Sequence, residues 1–237
     1  MRLPPGQRRL DRFPRFGTHL SRPAPAIPAD PVIKIRGAVS DELDVPVRTL
    51  GTLSRREMTA DFHCVAGWSA AGLRWEGVPF AAFYRAVMEP VLTPGAVVTH
   101  LGFGGLDGYR CFALIEDALV DGVLIADRLD GRPLDSDHGA PARLVSPAQY
   151  GYKSTKHLCR IDVHTLEAPP PAPRLRDVLF QDHPRARVWE EERNGALPTW
   201  FVRPLYRALK APLLLLCGRG EGRSLAPEPG STRPDSR

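Results

Sequence analysis

Short β-type segments separated by Gly and Pro dominate the middle of the chain. Val32–Gly37, Ala96–Leu101 and Ala142–Val145 are rich in β-branched or apolar residues, and each ends at or beside a turn residue. Only Phe80–Val87 clearly repeats its apolar residues at helical spacing. Many short strands with few helices argue against a doubly wound parallel sheet. We therefore predict a mainly β, α+β domain over residues 32–165.

Three segments of this region receive more specific predictions. Trp75–Pro79 is expected to form a turn, and residues 102–108 (GFGGLDG) a loop without the spacing of a dinucleotide-binding motif. Tyr150–Cys159 is expected to begin as a turn and continue as a helix.

The flanking regions differ from the middle in composition. Residues 1–31 are rich in Arg and Pro, which predicts an irregular lead-in. Residues 166–217 combine a Pro-rich linker with a helical pattern, and we predict an accessory segment there. Residues 218–237 contain mostly Gly, Ser, Pro and charged residues, which predicts disorder.

Charge and hydropathy exclude several classes of protein. The net charge is +5, but the basic residues are scattered and form no stripe interleaved with aromatic residues, so we do not expect nucleic-acid binding. The longest apolar run is Leu213–Cys217, far shorter than a membrane span. No apolar leader follows the N-terminal arginines, so a cytoplasmic location is expected.

The spacing of the cysteines argues against the common cysteine motifs that bind zinc or haem. The four cysteines are far apart and form no CxxC pair, which argues against a zinc ribbon or a c-type haem. Cys64 ends a predicted strand before a Gly turn (DFHCVAGWS), where it is either a small buried apolar residue or a reactive thiolate. Its neighbour His63 should face the opposite side of the strand, so the pair is poorly placed to share a zinc ion.

Two later segments carry cations that suit an anion. Arg143 lies in a predicted buried strand (HGAPARLV) and needs either a carboxylate partner or a bound anion. Tyr150–Lys156 (YGYKSTK) contains two of the four lysines beside a Gly turn. It is either a phosphate cradle unlike the P-loop or a solvated turn. Tyr109 is either a core residue or one that presents its hydroxyl to a pocket.

The segments HCVAGWS and HGAPARLVSPAQYGYKSTKHL occur in an order that resembles the oxidoreductase molybdopterin-binding domain family. This family includes sulfite oxidases and the bacterial methionine-sulfoxide reductase catalytic subunit. The resemblance covers residues 32–165 and implies the sulfite-oxidase-type molybdopterin-binding fold. The segment EERNGALPTWFVRPLYR also resembles an accessory segment of some bacterial members.

The resemblance implies a role for each candidate residue. Cys64 would bind molybdenum as a thiolate beside the dithiolene of one molybdopterin, and Tyr109 would be a catalytic pocket residue. The remaining cofactor contacts would be His63, Thr99, His138, Arg143, Gly151, Tyr152, Lys153, Ser154 and Lys156. The implied reaction is oxygen-atom transfer on a small substrate. Since no haem domain is visible, electrons would pass to or from a separate partner.

Some positions depart from the family pattern. No Arg follows Cys64, which disfavours sulfite as the substrate. His63 and His138 stand where the methionine-sulfoxide reductases usually carry Arg and Asn. Two alternatives therefore stay open: a relative that binds the cofactor without turnover, and an interaction protein that uses its Arg- and Pro-rich ends and binds no cofactor.

Overall fold

The computed structural model describes residues 3–16, 23–172 and 185–189, together with five single positions between 198 and 212. Its strands are β1 (Arg8–Leu10), β2 (Val32–Gly37), β3 (Leu43–Pro46), β4 (Arg56–Cys64), β5 (Trp68–Pro79), β6 (Val98–Gly105), β7 (Arg110–Leu114), β8 (Leu124–Leu129), β9 (Arg132–Pro133), β10 (Arg143–Val145) and β11 (Leu158–Thr165). The short helices are α1 (Phe80–Phe83), which continues as a π-helical turn over Tyr84–Met88, and α2 (Ile115–Ala118). Single 3-10 turns cover Val47–Thr52, Glu89–Val91 and Gly151–Lys153.

The strands form two sheets. The first has the order β1-β5-β8-β10, with β4 paired to β5 and β9 paired to β8. The second has the order β3-β2-β11-β6-β7. Most pairs are antiparallel, whereas β1–β5 and β2–β11 are parallel. Many short mixed strands with few helices confirm the α+β prediction.

Two apolar clusters hold these sheets. The larger cluster joins the second sheet to α1, where Ile33, Phe80, Phe103 and Ile161 are almost fully buried. Phe80 and Phe83 face this core, which explains why the apolar residues of Phe80–Val87 recur at helical spacing. A second cluster packs on the first sheet around Trp68 and Trp75 and contains Cys64.

Three local predictions were wrong, and close backbone approach explains them. Trp75–Pro79 is the end of the long strand β5 rather than a turn, and Gly102–Gly105 is strand rather than loop. A Cβ on Gly77 would lie 2.1 Å from the Ile125 carbonyl oxygen, so glycine here permits pairing rather than a turn. The helix expected within Tyr150–Cys159 is a single 3-10 turn followed by β11.

The segment after that 3-10 turn is held by neighbours instead of by helical hydrogen bonds. Leu144 donates its N–H to the Thr155 carbonyl, and Leu158 donates to the Ala142 carbonyl. These bonds attach residues 155–158 to β10. A helix prediction from local sequence takes no account of such long-range pairing, which overrides local propensity.

The flanking regions are described in part. The lead-in contains strand β1, which pairs with β5. Most of the accessory segment predicted for residues 166–217, and all of the disorder predicted for 218–237, lie outside the described residues. Among the residues that the structure does describe, no helix is long and apolar enough to cross a membrane.

We expect Gly77→Ala to destabilise the protein by about 3 kcal/mol, because the added methyl would collide with the β8 backbone. Gly51→Ala is the matched control, since a Cβ at Gly51 would have nothing within 4 Å. Urea unfolding measures both free energies of unfolding. Equal stability of the two variants would contradict the close β5–β8 contact.

Candidate functional site

Cys64 lies at the end of β4, where the chain turns into β5. Its side chain is 3% exposed, and the Ala66 N–H donates to its Sγ at 3.4 Å. The Gly67 N–H bonds the Cys64 carbonyl at 2.9 Å, and Gly67 has φ +91°, which favours glycine in this turn. A backbone N–H therefore lies within hydrogen-bond distance of the sulfur.

His63 lies on the other side of β4, as strand alternation predicts. Its Nδ1 lies 2.8 Å from Ser69 Oγ, and its ring centroid is 6.4 Å from that of Trp189. Burial lowers the pKa of His63, with Asp61 opposing the shift, so the neutral imidazole is favoured. His63 lines a cavity of about 560 Å³ with Asp61, Asp117 and Trp189. Direct contact between His63 and a cofactor stays a prediction.

Arg143 is a fully buried cation whose hydrogen bonds all end on neutral groups. Its Nη1 donates to the His138 carbonyl at 2.9 Å, and its Nη2 donates to the Ser154 carbonyl at 3.1 Å. Within the described part of the chain, no carboxylate lies within ion-pair distance of it. The guanidinium carbon lies 5.2–5.7 Å from the ring centroids of Phe13, Phe62 and Trp75.

A buried guanidinium without a carboxylate is unfavourable until an anion joins it. Burial lowers the pKa of Arg143 to about 9, which expresses the same cost. Of the two alternatives that the sequence left open for Arg143, the described contacts favour an anion over a structural salt bridge.

Lys156 adds a second positive charge to this region. Its Nζ donates to the Asp137 carbonyl at 2.6 Å, and it has no carboxylate within 4 Å among the described residues. Burial, followed by the charge of Arg143, lowers its pKa to about 7. A Cβ on Gly139 would lie 3.2 Å from both Arg143 Cβ and Lys156 Cβ, so the two side chains begin close together.

Three more predicted residues join this group. His138 and Ser154 supply the carbonyls that hold Arg143, and the His138 ring bonds Asp135 and the Phe13 carbonyl. Gly151 lies against the ring of Phe62, because a Cβ there would be 2.3 Å from Phe62 Cε1. Phe62 shares the strand face of Cys64. The structure therefore brings His138, Arg143, Gly151, Ser154 and Lys156 to the Cys64 side of β4.

Lys153 is directed to β7 and the Tyr152 carbonyl to Tyr109, whereas the Tyr152 ring packs on the cluster of Val65, Tyr150 and Val188. Lys153 is 1% exposed and its Nζ bonds the Phe112 carbonyl. The Tyr109 hydroxyl donates to the Tyr152 carbonyl, which ties the Gly151–Lys153 turn to β7. Tyr109 thus has a described structural role, and its catalytic role stays a prediction.

Thr99 lies on β6, in the second sheet. Its Oγ1 donates to the His164 carbonyl at 3.3 Å and lies 3.1 Å from His100 Nδ1. These described bonds do not join it to the Arg143 group, so its contact with a cofactor also stays a prediction.

Sequence reasoning missed the aromatic and amide groups that complete the site. Phe13 and Gln7 come from the lead-in, where Arg and Pro dominate the composition and conceal the apolar Phe residues. Phe62 lies two residues before Cys64 in a predicted strand, and its residue type alone gives no signal of a role. The indole N–H groups of Trp68 and Trp75 are buried without an acceptor in the described part of the structure. Buried donors without acceptors call for an explanation, such as a bound water, ion or ligand.

The described residues contain no group of three or more His, Cys, Asp or Glu side chains placed to hold a metal ion.

Comparisons with known proteins agree with the sequence motifs. The model of the family described as the oxidoreductase molybdopterin binding domain matches residues 19–171. The protein-methionine-sulfoxide reductase catalytic subunit MsrP of Xanthomonas campestris is 31% identical over 170 residues, which cover 64% of this chain and 51% of that protein. The corresponding protein of Gluconobacter oxydans is 27% identical over 184 residues, covering 67% and 55%. The chain thus spans about half the length of these relatives.

A solved structure is similar in fold. The sulfane dehydrogenase SoxCD of Paracoccus pantotrophus has a TM-score of 0.53 and 21% identity, and the match covers 70% of this chain and 46% of that chain. At this identity the match supports the fold alone.

The low pKa of Lys156 gives a stability prediction for the protein without an added ligand. Between pH about 7 and 10.5 the folded chain binds fewer protons at Lys156 than the unfolded chain does, so this residue makes stability rise with pH. We expect Lys156→Met to be more stable than the wild type by about 2 kcal/mol at pH 6, and this difference to shrink towards pH 10.

Urea unfolding across this pH range measures the difference between the two proteins. Lys34→Met, on strand β2, is the control for loss of an exposed lysine. A Lys156→Met difference that does not change with pH would contradict the lowered pKa.

Proposed function

Because the chain belongs to the oxidoreductase molybdopterin-binding domain family, we propose that it holds molybdenum-molybdopterin through Cys64 and catalyses oxygen-atom transfer on a small substrate. The observation that carries this proposal is the cationic group around Arg143, which lies on the same side of β4 as the Cys64 thiol. That group has the charge that a phosphate-bearing cofactor requires.

The residues fit the cofactor in chemistry as well as in order. Among the described residues, Arg143 and Lys156 have no carboxylate partner, and a guanidinium matches phosphate in its fork geometry. The buried N–H groups of Trp68 and Trp75 have no acceptor in the part of the chain that is described, and a pterin is rich in acceptors. A thiolate is a soft ligand that suits such a metal.

Each residue has a distinct part in this proposal. Cys64 would hold the metal, and the Ala66 N–H would stabilise its negative charge. Arg143 and Lys156 would bind the phosphate, while Phe13 and Phe62 would exclude water and strengthen those contacts. When bound, the metal centre supplies two-electron oxygen-atom transfer, and the protein supplies binding, orientation and electrostatics.

Sulfoxide reduction is the reaction that we propose to test first. The named relatives include protein-methionine-sulfoxide reductase catalytic subunits. The absence of an Arg after Cys64 disfavours an anionic sulfite substrate. Reduction of a sulfoxide to a thioether and water consumes two electrons and two protons, so the proposal includes a separate electron-transfer partner as donor.

We expect protein purified from a host that makes molybdopterin to contain about one molybdenum atom per chain, and Cys64→Ser to retain less than a tenth of it, because a serine hydroxyl is a harder and weaker ligand. Cys159→Ser, at a half-buried cysteine of β11, is the matched control. Elemental analysis measures the metal.

Absence of metal from a folded wild-type protein would reject the cofactor proposal and favour the interaction protein. Equal metal content in the wild type and Cys64→Ser would reject Cys64 as the ligand while leaving cofactor binding intact.

With a reduced viologen dye as donor, we expect the metal-loaded protein to reduce methionine sulfoxide, and Arg143→Met to lose activity in proportion to its lost cofactor. Dividing the rate of dye oxidation by the amount of bound molybdenum separates loss of cofactor from loss of activity per bound cofactor. Stoichiometric molybdenum without reduction of any sulfoxide or N-oxide would favour the relative that binds the cofactor without turnover.

A further inference from the structure

We propose that Gln7 is a positioning residue for Cys64, and that it acts as part of an N-terminal strap, residues 4–16, which closes over the site. The inference rests on the proposed role of Cys64 as the metal ligand. It assigns a function to a region whose composition predicted only an irregular lead-in.

The Gln7 side chain joins the two arms of the turn that presents Cys64. Its Nε2 donates to the Cys64 carbonyl at 3.0 Å, and its Oε1 accepts from Ser69 Oγ at 3.1 Å. Ser69 Oγ in turn lies 2.8 Å from His63 Nδ1. One amide therefore connects the residues on both sides of the turn, and both of its ends are bonded.

The strap backbone supports the same turn. Arg8 donates its N–H to the Gly67 carbonyl at 2.9 Å, and Arg8–Leu10 pairs in register with Trp68–Ala70. The Cys64 carbonyl thus accepts from Gly67 within the turn and from Gln7 across it. Sliding or tilting of Cys64 would break bonds to two separate parts of the chain.

The far end of the strap covers the cationic group. Phe13 lies over the Arg143 guanidinium, its carbonyl accepts from His138 Nε2 at 3.0 Å, and Arg15 pairs with Asp137 at 3.3 Å. Arg143 has no exposed surface in this arrangement. Access to both Cys64 and Arg143 therefore depends on whether the strap is docked.

Few interactions hold the strap in place. β1 has three residues and pairs with one strand, so its local opening should cost much less than global unfolding. Removing the Gln7 hydrogen bonds without changing the side-chain volume should make the Cys64 turn open more often.

The test is the rate of Cys64 alkylation in the full chain made without cofactor, followed by mass spectrometry. We expect Gln7→Met, which keeps the length of the side chain but lacks its amide, to raise this rate about tenfold. Gln7→Glu, which keeps an acceptor for Ser69 but turns a carboxylate oxygen to the Cys64 carbonyl, should raise the rate at least as much.

Two controls separate this effect from general loosening. Arg9→Ala changes an exposed side chain of the same strap and should leave the rate unchanged. The buried Cys111 reports global opening in each sample, so its rate should stay constant while that of Cys64 rises. Equal rises at both cysteines, or no rise in Gln7→Met, would overturn the positioning role.

A second readout uses the metal-loaded protein. We expect the thiolate-to-metal absorption band to shift in Gln7→Met but not in Arg9→Ala, because the orientation of Cys64 changes in the former alone. An unshifted band in Gln7→Met would overturn positioning of the ligand. The alkylation result stands without metal, so failure of this inference and failure of the proposed function are distinguishable.

Discussion

The Arg143 guanidinium is the interaction around which the site is organised. It is fully buried, bonded to carbonyls on both sides, and surrounded by aromatic rings from three separate segments. A charge in this setting is tolerable only when it is paired or hydrogen-bonded. The carbonyls of His138 and Ser154 fix the segments around β10, and the rings of Phe13 and Phe62 attach the strap and β4 to the same point.

The sequence predicted the fold class and several strands because those features depend on local patterns. Val32–Gly37 and the buried Arg143–Val145 strand were visible as short apolar segments between turns. Gly77 and Gly105 misled the prediction, because glycine permits either a turn or a close strand contact. Only the position of a partner backbone, such as the Ile125 or Lys156 carbonyl, decides between them.

The site was predictable to the extent that its residues are close in sequence. His138, Arg143, Gly151, Ser154 and Lys156 come from one continuous region, and the structure brings them together. Gln7 and Phe13 reach the site across separations of 57 and 125 positions, and no spacing rule connects residues so distant. The direction of Lys153 towards β7 likewise depends on tertiary packing.

The parallel pairing of β1 with β5 has a consequence for the order of folding. β1 comes before β5 in the chain and can pair only once β5 is present, so its contacts close loops of more than fifty residues. Such distant contacts form late, because their loop-closure entropy must be offset by structure already in place. We expect each new chain to pass through a stage with a formed sheet and an uncovered Cys64. A cofactor bound at that stage would be enclosed when the strap docks.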